Sequence, residues 1–561
     1  MTFDNESFLG PQGELIGMVI DGSLSRGAQV RLGSGISIED IKEGTYITIQ
    51  GQRYQFFGII TDVFLSAVDN SIQYSLPDVS SPFISQVVAD TLTFGSITVL
   101  PMLTLPAILG DDSKPEPAKT IPAHFSNTFR ASDRDVELVF GEEDENHFFI
   151  GNPLDMETKV CLNIEELVKR SSGIFGKSGT GKTFLTRLLL VGILQSDAAS
   201  SLIFDMHNEY GWAGQDSDRN QSVKGLRTLF GSTKVAVASL DPESSDRRGN
   251  SPDFDVQIGY DEINPSDIQL LKDTLNLSEV AASAAYDLER KLGDKQWLSK
   301  FLELEDTDEI YNLAAETNIQ PNALRALHNR LSRLKRFKFM VPKAPVDSVQ
   351  EILNLLEAGK HVVLEFGRYG NDLNAYILVA NLLTSRIHQR YVYNTEAAEN
   401  DPSGTTKPRP LIICIEEAHR FLNPSIASQT IFGTIARELR KYSVTLMVID
   451  QRPSAIDPEV MSQIGTKVAC LLDNERDVDA TLSGVHGARE LRSVLSRLDA
   501  KQQALIFGHG VPMPVVVRTR EYGASGNYED LTNPHWKRSI GTNGAQTPAD
   551  RDLDQELKDL F

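Results

Sequence analysis

Short apolar runs separated by glycine-containing polar turns make up residues 1–108, as in the segments GMVIDG, AQVRLG and TYITIQ. Many short strands at this spacing are typical of a small β-barrel or β-sandwich. The most apolar stretch, residues 92–110, is interrupted by Gly95, Pro101 and Pro106. Such interruptions favour buried β structure over a membrane-spanning helix. We therefore predict an all-β unit over residues 1–108 and no membrane partner.

A polar segment follows the β unit. Residues 109–138 include the run GDDSKPEPAKTIPAHFSNTFR, which is rich in proline and charge and poor in large apolar residues. This composition is typical of a linker. We therefore predict that residues 109–138 connect the β unit to the next part of the chain.

The pattern changes again at about residue 139. Apolar runs of strand length, such as SLIFDMH, HVVLEFG and TLMVIDQ, now alternate with helix-length amphipathic segments. Continuous Val, Ile and Leu runs indicate strands buried on both faces, which is the pattern of a parallel sheet with helices on either side. We predict an α/β core over residues 139–525 and an acidic tail over residues 526–561.

Helical spacing interrupts the α/β pattern over about residues 262–340. Asn264 is a suitable N-cap, with Pro265 at the first helical position. Near the end of this insertion, apolar residues at helical spacing alternate with basic ones, namely Arg325, Arg330, Arg333, Lys335 and Arg336. The pattern indicates an amphipathic helix with a solvated basic face. A face turned toward DNA is the alternative, and the sequence does not decide between them.

Length, charge and cysteine usage narrow the class of protein. A chain of 561 residues is too long for one ordinary core, which favours two or three domains. The net charge of -22 argues against a surface that wraps nucleic acid but leaves room for a locally basic channel. The three cysteines, Cys161, Cys414 and Cys470, have no metal-ligand spacing. We expect buried thiols in a reducing compartment, the cytoplasm.

One segment carries a phosphate-binding motif. The run GKSGTGKT fills the pattern G-x-x-x-x-G-K-[ST] completely, with an apolar run before it and an apolar helical pattern after it. Backbone N–H groups of such a loop converge on phosphate oxygens, so the sequence predicts ATP and Mg²⁺ as ligands. Lys182 should reach the β- and γ-phosphates, and Thr183 should bind Mg²⁺. The predicted nucleotide-binding residues are Gly176, Lys177, Ser178, Gly179, Thr180, Gly181, Lys182 and Thr183.

Two further apolar runs end in polar residues suited to the same site. The run LIICI ends in Glu416 and Glu417, where one carboxylate can hold the water shell of Mg²⁺ and the other can orient the attacking water. The run VTLMVI ends near Gln451, a neutral donor and acceptor that can contact the γ-phosphate or the water. Because ligands of parallel sheets bind at the carboxyl ends of strands, we expect Gln451 beside the glutamate pair. A polar turn capped by Pro453 is the alternative for Gln451.

The motifs together resemble a known family. The phosphate loop, FDMHNEYGW at 204–212, IEEAHRF at 415–421 and IARELRKYSVTLMVIDQRPSAIDPEVMSQ at 435–463 occur in the order found in the HerA family, within the HerA–FtsK superfamily of hexameric motor ATPases. The resemblance covers nearly the whole chain and implies an α/β fold with a RecA-like P-loop NTPase core and a helical insertion. It also implies that the N-terminal unit is a small β-barrel and that the C-terminal segment braces a neighbour.

The same resemblance assigns further residues to the ATP site. Asp205 falls on the motif of the second strand, where a strand-end turn is the structural alternative, and His207 could equally be a structural histidine. Arg170, twelve residues before Lys182, lies where the family has an arginine that acts in trans. Arg437 and Arg440 lie where the family has an arginine that acts in cis.

Three positions depart from the family pattern. Asp450 replaces the usual Ser or Thr before Gln451, Leu439 replaces a glycine, and Ser443 replaces another. None of these departures removes a catalytic group.

The activity that the resemblance implies is ATP-driven movement of double-stranded DNA through the pore of a homo-hexamer. A NurA-like nuclease or another effector is the implied partner, in DNA end processing or in a defence complex. Two alternatives stay open. In one, an ATP-dependent ring assembles and regulates a partner effector, with translocation secondary. In the other, the motor moves protein, which the lack of a membrane segment disfavours.

Overall fold

The computed structural model describes residues 13–67, 93–106, 114–216, 221–400, 407–427, 430–485, 487–523, 527–534 and 536–537. Two units follow one another along the chain: an antiparallel β-barrel and an α/β unit built on a long mixed sheet. Among the described residues, no helix combines the length and the apolar character that crossing a membrane requires.

The N-terminal unit is a closed barrel. Its strands are β1 Leu15–Ser23, β2 Gly27–Leu32, β3 Tyr46–Gln50, β4 Tyr54–Ala67, β5 Thr93–Pro106, β6 Glu116–Pro117 and β7 Asn127–Arg130. The order is β2-β1-β7-β3-β4-β5, and β2 also pairs with β5, so the antiparallel sheet closes on itself while β6 extends β5. Closure leaves no free strand edge in the ring of strands. Alternate side chains such as Val30, Ile60 and Val99 fill the interior.

The linker prediction for residues 109–138 is wrong at its C-terminal end. Strand β7 lies between β1 and β3 and pairs with both, so the barrel includes residues up to Arg130. A helix, Asp133–Phe140, follows almost directly, with Ser132 as its N-cap. The fully buried position of β7 is Thr128, a polar residue, and for that reason the apolar pattern did not reveal the strand.

The second unit contains the remaining strands. They are β8 His147–Asn152, β9 Val160–Asn163, β10 Ser172–Phe175, β11 Ser200–Asp205, β12 Gly214–Asp216, β13 Gln221–Val223, β14 Val235–Ser239, β15 Phe254–Asp255, β16 Ile258–Gly259, β17 Met340–Val341, β18 His361–Glu365, β19 Leu411–Glu416, β20 Val444–Asp450, β21 Thr466–Ala469, β22 Gln503–Gly508 and β23 Val515–Thr519. The main sheet has the order β15-β14-β18-β11-β19-β20-β10-β21-β22-β23-β8-β9. Strands from β15 to β21 are parallel, and those from β22 to β9 are antiparallel to their neighbours.

The helices cover both faces of this sheet. They are α1 Asp133–Phe140, α2 Ile164–Val168, α3 Lys182–Ser196, α4 Leu226–Lys234, α5 Pro242–Arg247, α6 Pro265–Leu270, α7 Glu279–Leu292, α8 Trp297–Glu303, α9 Thr307–Thr317, α10 Pro321–Leu331, α11 Ser348–Glu357, α12 Leu373–Asn400, α13 His419–Leu422, α14 Ile431–Glu438, α15 Pro458–Gln463, α16 Glu475–Leu482, α17 Ala488–Ser496 and α18 Asn527–Thr532. The architecture confirms the predicted α/β fold with a RecA-like P-loop core.

Helices α6 to α10 form a bundle inserted between β16 and β17. Trp297 is fully buried in it, and its indole N–H donates to the carbonyl of Ile263 at 3.0 Å. The apolar cluster of this bundle is continuous with β18 and with Phe366 just after that strand. The bundle therefore packs against the parallel part of the sheet, on the side of β14 and β18.

The barrel packs against the antiparallel part of the sheet. Tyr46 and Leu100 of the barrel share one apolar cluster with Val516 of β23. Ser493 of α17 donates a hydrogen bond to the carbonyl of Thr61 at 3.1 Å. The two units thus share a core and are not joined by the chain alone.

Candidate nucleotide-binding site

The predicted phosphate loop connects β10 to α3. Gly179 and Gly181 have φ values of 80° and 91°, a left-handed conformation that favours glycine. A Cβ atom on Gly176 would lie 2.8 Å from the Cβ of Cys470, so this position also requires glycine. The Lys182 ammonium donates to the carbonyls of Gly176 and Lys177 at 2.8 and 2.9 Å. The loop therefore wraps around its own lysine, as a phosphate-binding loop does.

A cleft of about 840 Å³ opens beside this loop. Residues 178–183 form one wall, and His207 and Glu209 extend it. Two segments far along the chain also line the cleft, namely Lys501 to Gln503 and Thr519 to Tyr522. Residues 178–183 follow β10 and residues 207–209 follow β11, so the cleft lies at the carboxyl ends of these two strands, where ligands of open α/β sheets bind, but Glu416, Glu417 and Gln451 are not among its lining residues.

Strand β19 ends in the glutamate pair at the same edge of the sheet, and one strand, β20, lies between β19 and β10. Glu416 is buried, and it accepts a hydrogen bond from the Tyr210 hydroxyl at 2.8 Å. Burial, with the nearby Asp205 carboxylate as the second cause, raises the pKa of Glu416 to about 8. Glu417 is more exposed and has φ of 50°, in the left-handed region. The two adjacent carboxylates therefore occupy different environments.

Strand β20 lies between β19 and β10, and Gln451 follows it directly. The Gln451 amide donates to Glu417 Oε1 at 3.1 Å. The structure thus places Gln451 beside the glutamate pair, and the partner of its side chain is Glu417. The predicted turn at Pro453 is also present, as the start of a short 3₁₀ helix.

Asp450, the acid at a position where a hydroxyl is usual, has a full set of hydrogen bonds. It is buried and accepts from the backbone N–H groups of His419 and Arg452, each at 2.7 Å. The His419 ring nitrogen Nδ1 lies 3.0 Å from Asp450 Oδ2, and this hydrogen bond raises the pKa of His419. The other ring nitrogen lies 3.7 Å from Glu417 Oε2. Asp450 therefore fixes the turn that carries Glu417.

Asp205 has the geometry of a strand-end turn. Its two carboxylate oxygens accept from the backbone N–H groups of Glu209 and Tyr210, each at 2.8 Å. The side chain is fully buried, and burial raises its pKa. These contacts hold Tyr210 in position against Glu416, so Asp205 acts on the site through Tyr210. His207 is exposed and lines the cleft.

Two of the predicted arginines, Arg170 and Arg437, do not line the cleft of their own chain. Arg170 precedes β10, at the sheet edge opposite to the phosphate loop, and its guanidinium lies 2.7 Å from His509 Nε2. Arg437 lies on α14, with its guanidinium 3.9 Å from Glu459. The side chain of Arg440 lies outside the part of the chain that the structure describes.

Two residues that line the cleft, Arg187 and Tyr522, were not predicted from the sequence. Arg187 is buried on α3, and its guanidinium donates to the carbonyl of Glu209. It also lies 5.5 Å from the Phe184 ring and 5.7 Å from the Tyr522 ring. An arginine within the apolar helix TFLTRLLLVGIL was the available signal for this position. The sequence around Tyr522, by contrast, contains no such pattern, because only the tertiary fold brings Tyr522 to the cleft.

The acidic groups fit a divalent cation. The second carboxylate oxygen of Glu416 is buried and has no hydrogen-bond partner among the described residues. Such an oxygen suits a Mg²⁺ water shell, which favours carboxylate and hydroxyl ligands. Thr183, whose hydroxyl would be the protein ligand, lines the cleft of the phosphate loop.

Known proteins share this sequence pattern. A family model described as the central domain of helicase HerA matches residues 148–387. A probable helicase of Methanocaldococcus jannaschii is 30% identical over 407 residues, covering 67% of this chain and 71% of the relative. The DNA double-strand break repair helicase HerA of Pyrococcus furiosus is 22% identical over 414 residues, covering 70% and 72%. The HerA helicase of Sulfurisphaera tokodaii is 22% identical over 539 residues, covering 94% and 97%.

Among solved structures, the chain matches VirB4 of Thermoanaerobacter pseudethanolicus with a TM-score of 0.42 and 13% identity, over 68% of this chain and 98% of that one. The plasmid coupling protein TrwB in complex with the ATP analogue ADPNP has a TM-score of 0.43 and 14% identity, with coverage of 70% and 92%. The sequence relatives, the family model and the phosphate loop in its cleft lead to one conclusion. The chain belongs to the HerA family of helicases and is a P-loop ATP hydrolase.

Proposed function

We propose that this chain is the subunit of a hexameric motor that hydrolyses ATP to move double-stranded DNA through a central pore. The observation that carries the proposal is the convergence of three parallel strand ends. Strands β10, β20 and β19 bring Lys182, Gln451 and Glu417 to one edge of the sheet, and Lys182 also lines the cleft. A phosphate clamp next to a carboxylate and its amide partner is the arrangement that phosphoryl transfer to water requires.

Each residue of the proposed site has a distinct role in hydrolysis. The loop N–H groups and the Lys182 ammonium bind the phosphates and neutralise charge that grows on them. Glu417 orients the attacking water and accepts its proton, while Gln451 holds the Glu417 carboxylate in place through the 3.1 Å hydrogen bond. Thr183, and Glu416 through water, would hold Mg²⁺, which supplies positive charge at the β- and γ-phosphates.

The position of Arg170 supports a ring. This arginine lies at the sheet edge opposite to the loop of its own chain, so it can approach a γ-phosphate only across a subunit boundary. An arginine delivered in trans is a common way to stabilise the charge of the transition state. We assign Arg170 this role, and we assign Arg440 a role within its own subunit.

The assignment of DNA as the polymer rests on the relatives. Several are DNA double-strand break repair helicases by name, and one matches 94% of this chain. We propose a NurA-like nuclease or another effector as the partner protein, in end processing or in a defence complex. The three free, buried cysteines fit the reducing cytoplasm as the location.

An ATPase assay with and without duplex DNA tests the proposal. We expect DNA to stimulate ATP hydrolysis by the wild-type protein, and we expect Lys182→Ala to lower the rate by at least about a hundredfold, because the phosphates lose their lysine. Colorimetric detection of released phosphate measures both effects. Equal wild-type rates with and without DNA would overturn the translocase assignment and leave only the ATPase.

A further inference from the structure

A second concave site lies away from the nucleotide cleft, between the helical insertion and the start of α12. It has a volume of about 130 Å³. Three guanidinium groups and three neutral polar side chains line it, namely Arg330, Arg333, Arg336, Thr274, Asn276 and Asn374. The remaining lining is apolar, and the described residues that line the site include no carboxylate. The proposed hydrolysis reaction uses none of these residues.

The backbone directs the three arginines to one side. Helix α10 ends at Leu331 and continues as a 3₁₀ helix over Ser332–Arg336. A 3₁₀ helix has three residues per turn, so side chains three positions apart lie above one another. Arg333 and Arg336 therefore stack on the same side, and Arg330 lies one turn earlier. Like charges at this spacing repel and destabilise a helix.

Little in the surroundings neutralises these charges. Arg336 forms an ion pair with Asp372 at 2.6 Å. Arg330 and Arg333 have no ion pair among the described residues, although the chain carries 77 acidic residues against 55 basic ones. Two unpaired guanidinium groups facing one concavity therefore indicate a site for an anion.

The lining indicates which anion. Guanidinium groups match phosphate and carboxylate oxygens through paired N–H donors. Here three of them are joined by two amides and a hydroxyl, more donors than the two oxygens of one carboxylate accept. Leu334 and Phe337 give the pocket an apolar floor, which strengthens the attraction between unlike charges. The donor set and the small volume favour a single phosphate group.

We propose that this arginine pocket binds one phosphate group and that the group belongs to the backbone of a DNA strand. The assignment of DNA as the source rests on the proposed function. The pocket adjoins Asp372, in the loop that follows β18, while the phosphate loop follows β10 at the same edge of the sheet. Four strand spacings separate the ends of β18 and β10, roughly 19 Å. The pocket is thus a separate contact point from the nucleotide cleft.

The decisive variant is Arg330→Gln with Arg333→Gln, which removes both unpaired charges and keeps polar side chains. The matched control is Arg290→Gln with Arg325→Gln, which removes two exposed arginines that do not line the pocket. Fluorescence anisotropy with a labelled duplex measures the dissociation constant at several salt concentrations. We expect the pocket variant to bind the duplex at least about fivefold more weakly than the wild type. The slope of the logarithm of the binding constant against the logarithm of the salt concentration should be smaller by about 0.9. We expect the control to match the wild type, and DNA-independent ATPase activity to be unchanged in both.

A second measurement separates DNA from small phosphorylated molecules. In a Lys182→Ala background, inorganic phosphate at constant ionic strength should raise the unfolding temperature, and the pocket variant should lose this rise. If phosphate still raises the unfolding temperature of the pocket variant, the pocket is not the phosphate-binding site. Loss of that stabilisation with unchanged DNA affinity would overturn DNA as the source. If the wild type does not bind DNA at all, the proposed function fails, and the phosphate measurement still decides the pocket.

Discussion

Glu417 combines the proposed catalytic role with an unfavourable backbone. Its φ of 50° places a residue with a long side chain in the left-handed region, which costs roughly 1 to 2 kcal/mol for a non-glycine residue. Gln451 and His419 lie against its carboxylate. Strain of this kind persists where the surrounding structure fixes a side chain for function.

The cost of this conformation is measurable with two substitutions. Glu417→Gly removes the carboxylate and relieves the left-handed strain, whereas Glu417→Gln removes only the charge. We expect both to lower ATP hydrolysis by at least about a hundredfold. Glu417→Gly should unfold about 1 °C or more above Glu417→Gln, since roughly 1 kcal/mol of strain is relieved in a large chain. Differential scanning fluorimetry checks the order, and an unfolding temperature of Glu417→Gly below that of Glu417→Gln would contradict it.

At the scale of single residues, the sequence predicted which polar residues lie at strand ends better than it predicted which side chains contact one another. Gln451 was expected near the glutamate pair because the ends of parallel strands share an edge. The hydrogen bond from Tyr210 to Glu416 joins residues 206 positions apart, and no local pattern carries such information. Asp450 was evident as an unusual acid, but its set of backbone donors depends on the turn at His419.

At the scale of elements, β21 contains a lysine where a parallel strand is normally apolar. Lys467 is buried, and its ammonium donates to the carbonyl of Thr481 at the end of α16 at 3.0 Å. Burial lowers the pKa of Lys467 to about 8. Strand β21 pairs with β10, so Lys467 lies on the strand next to the one that leads into the phosphate loop.

Lys467 should make stability depend on pH. The unfolded lysine stays protonated up to about pH 10.4, whereas the folded one loses its proton at about pH 8. Unfolding therefore takes up a proton between these values, and stability rises with pH across this window. We expect the wild type to gain up to roughly 3 kcal/mol relative to Lys467→Met between pH 8 and pH 10.4. Denaturant unfolding at several pH values measures the gain.

The exposed Lys343→Met is the matched control for this measurement. Its stability should follow that of the wild type at every pH in the window. A constant difference between wild type and Lys467→Met would show that Lys467 does not titrate in this range.

Elements with strong periodicity were predictable, and β7 was not. The parallel strands carry continuous apolar runs because both faces are buried. Strand β7 is four residues long, with a polar residue at its buried position, and its stability comes from backbone pairing on both sides. A closed barrel can therefore contain a strand whose side chains show no apolar pattern. For this reason the predicted linker extends too far along the chain, into residues that belong to the barrel.

At the scale of the whole molecule, the position of Arg170 predicts that a single chain is catalytically incomplete. We expect Arg170→Ala and Lys182→Ala each to abolish most ATP hydrolysis. When the two variants are mixed and allowed to exchange subunits, about one quarter of the interfaces should pair an intact loop with an intact arginine. Phosphate release from the mixture should rise accordingly. No recovery despite proven exchange would rule out action in trans.

Because β8 pairs with β23, its strand pairing can be completed only late in synthesis. Arg518 of β23 also pairs with Glu157, 361 residues earlier in the chain. On the ribosome, the barrel has its last strand once Arg130 emerges, and β8 can pair with β9 early, but its other edge must wait for β23. At typical elongation rates this interval is roughly 20 to 70 s. Throughout that time β8 lacks its pairing partner β23, although Phe148 already has Gly192 of α3 as a neighbour, so we expect a ribosome-associated chaperone to bind the open edge of β8 in nascent chains.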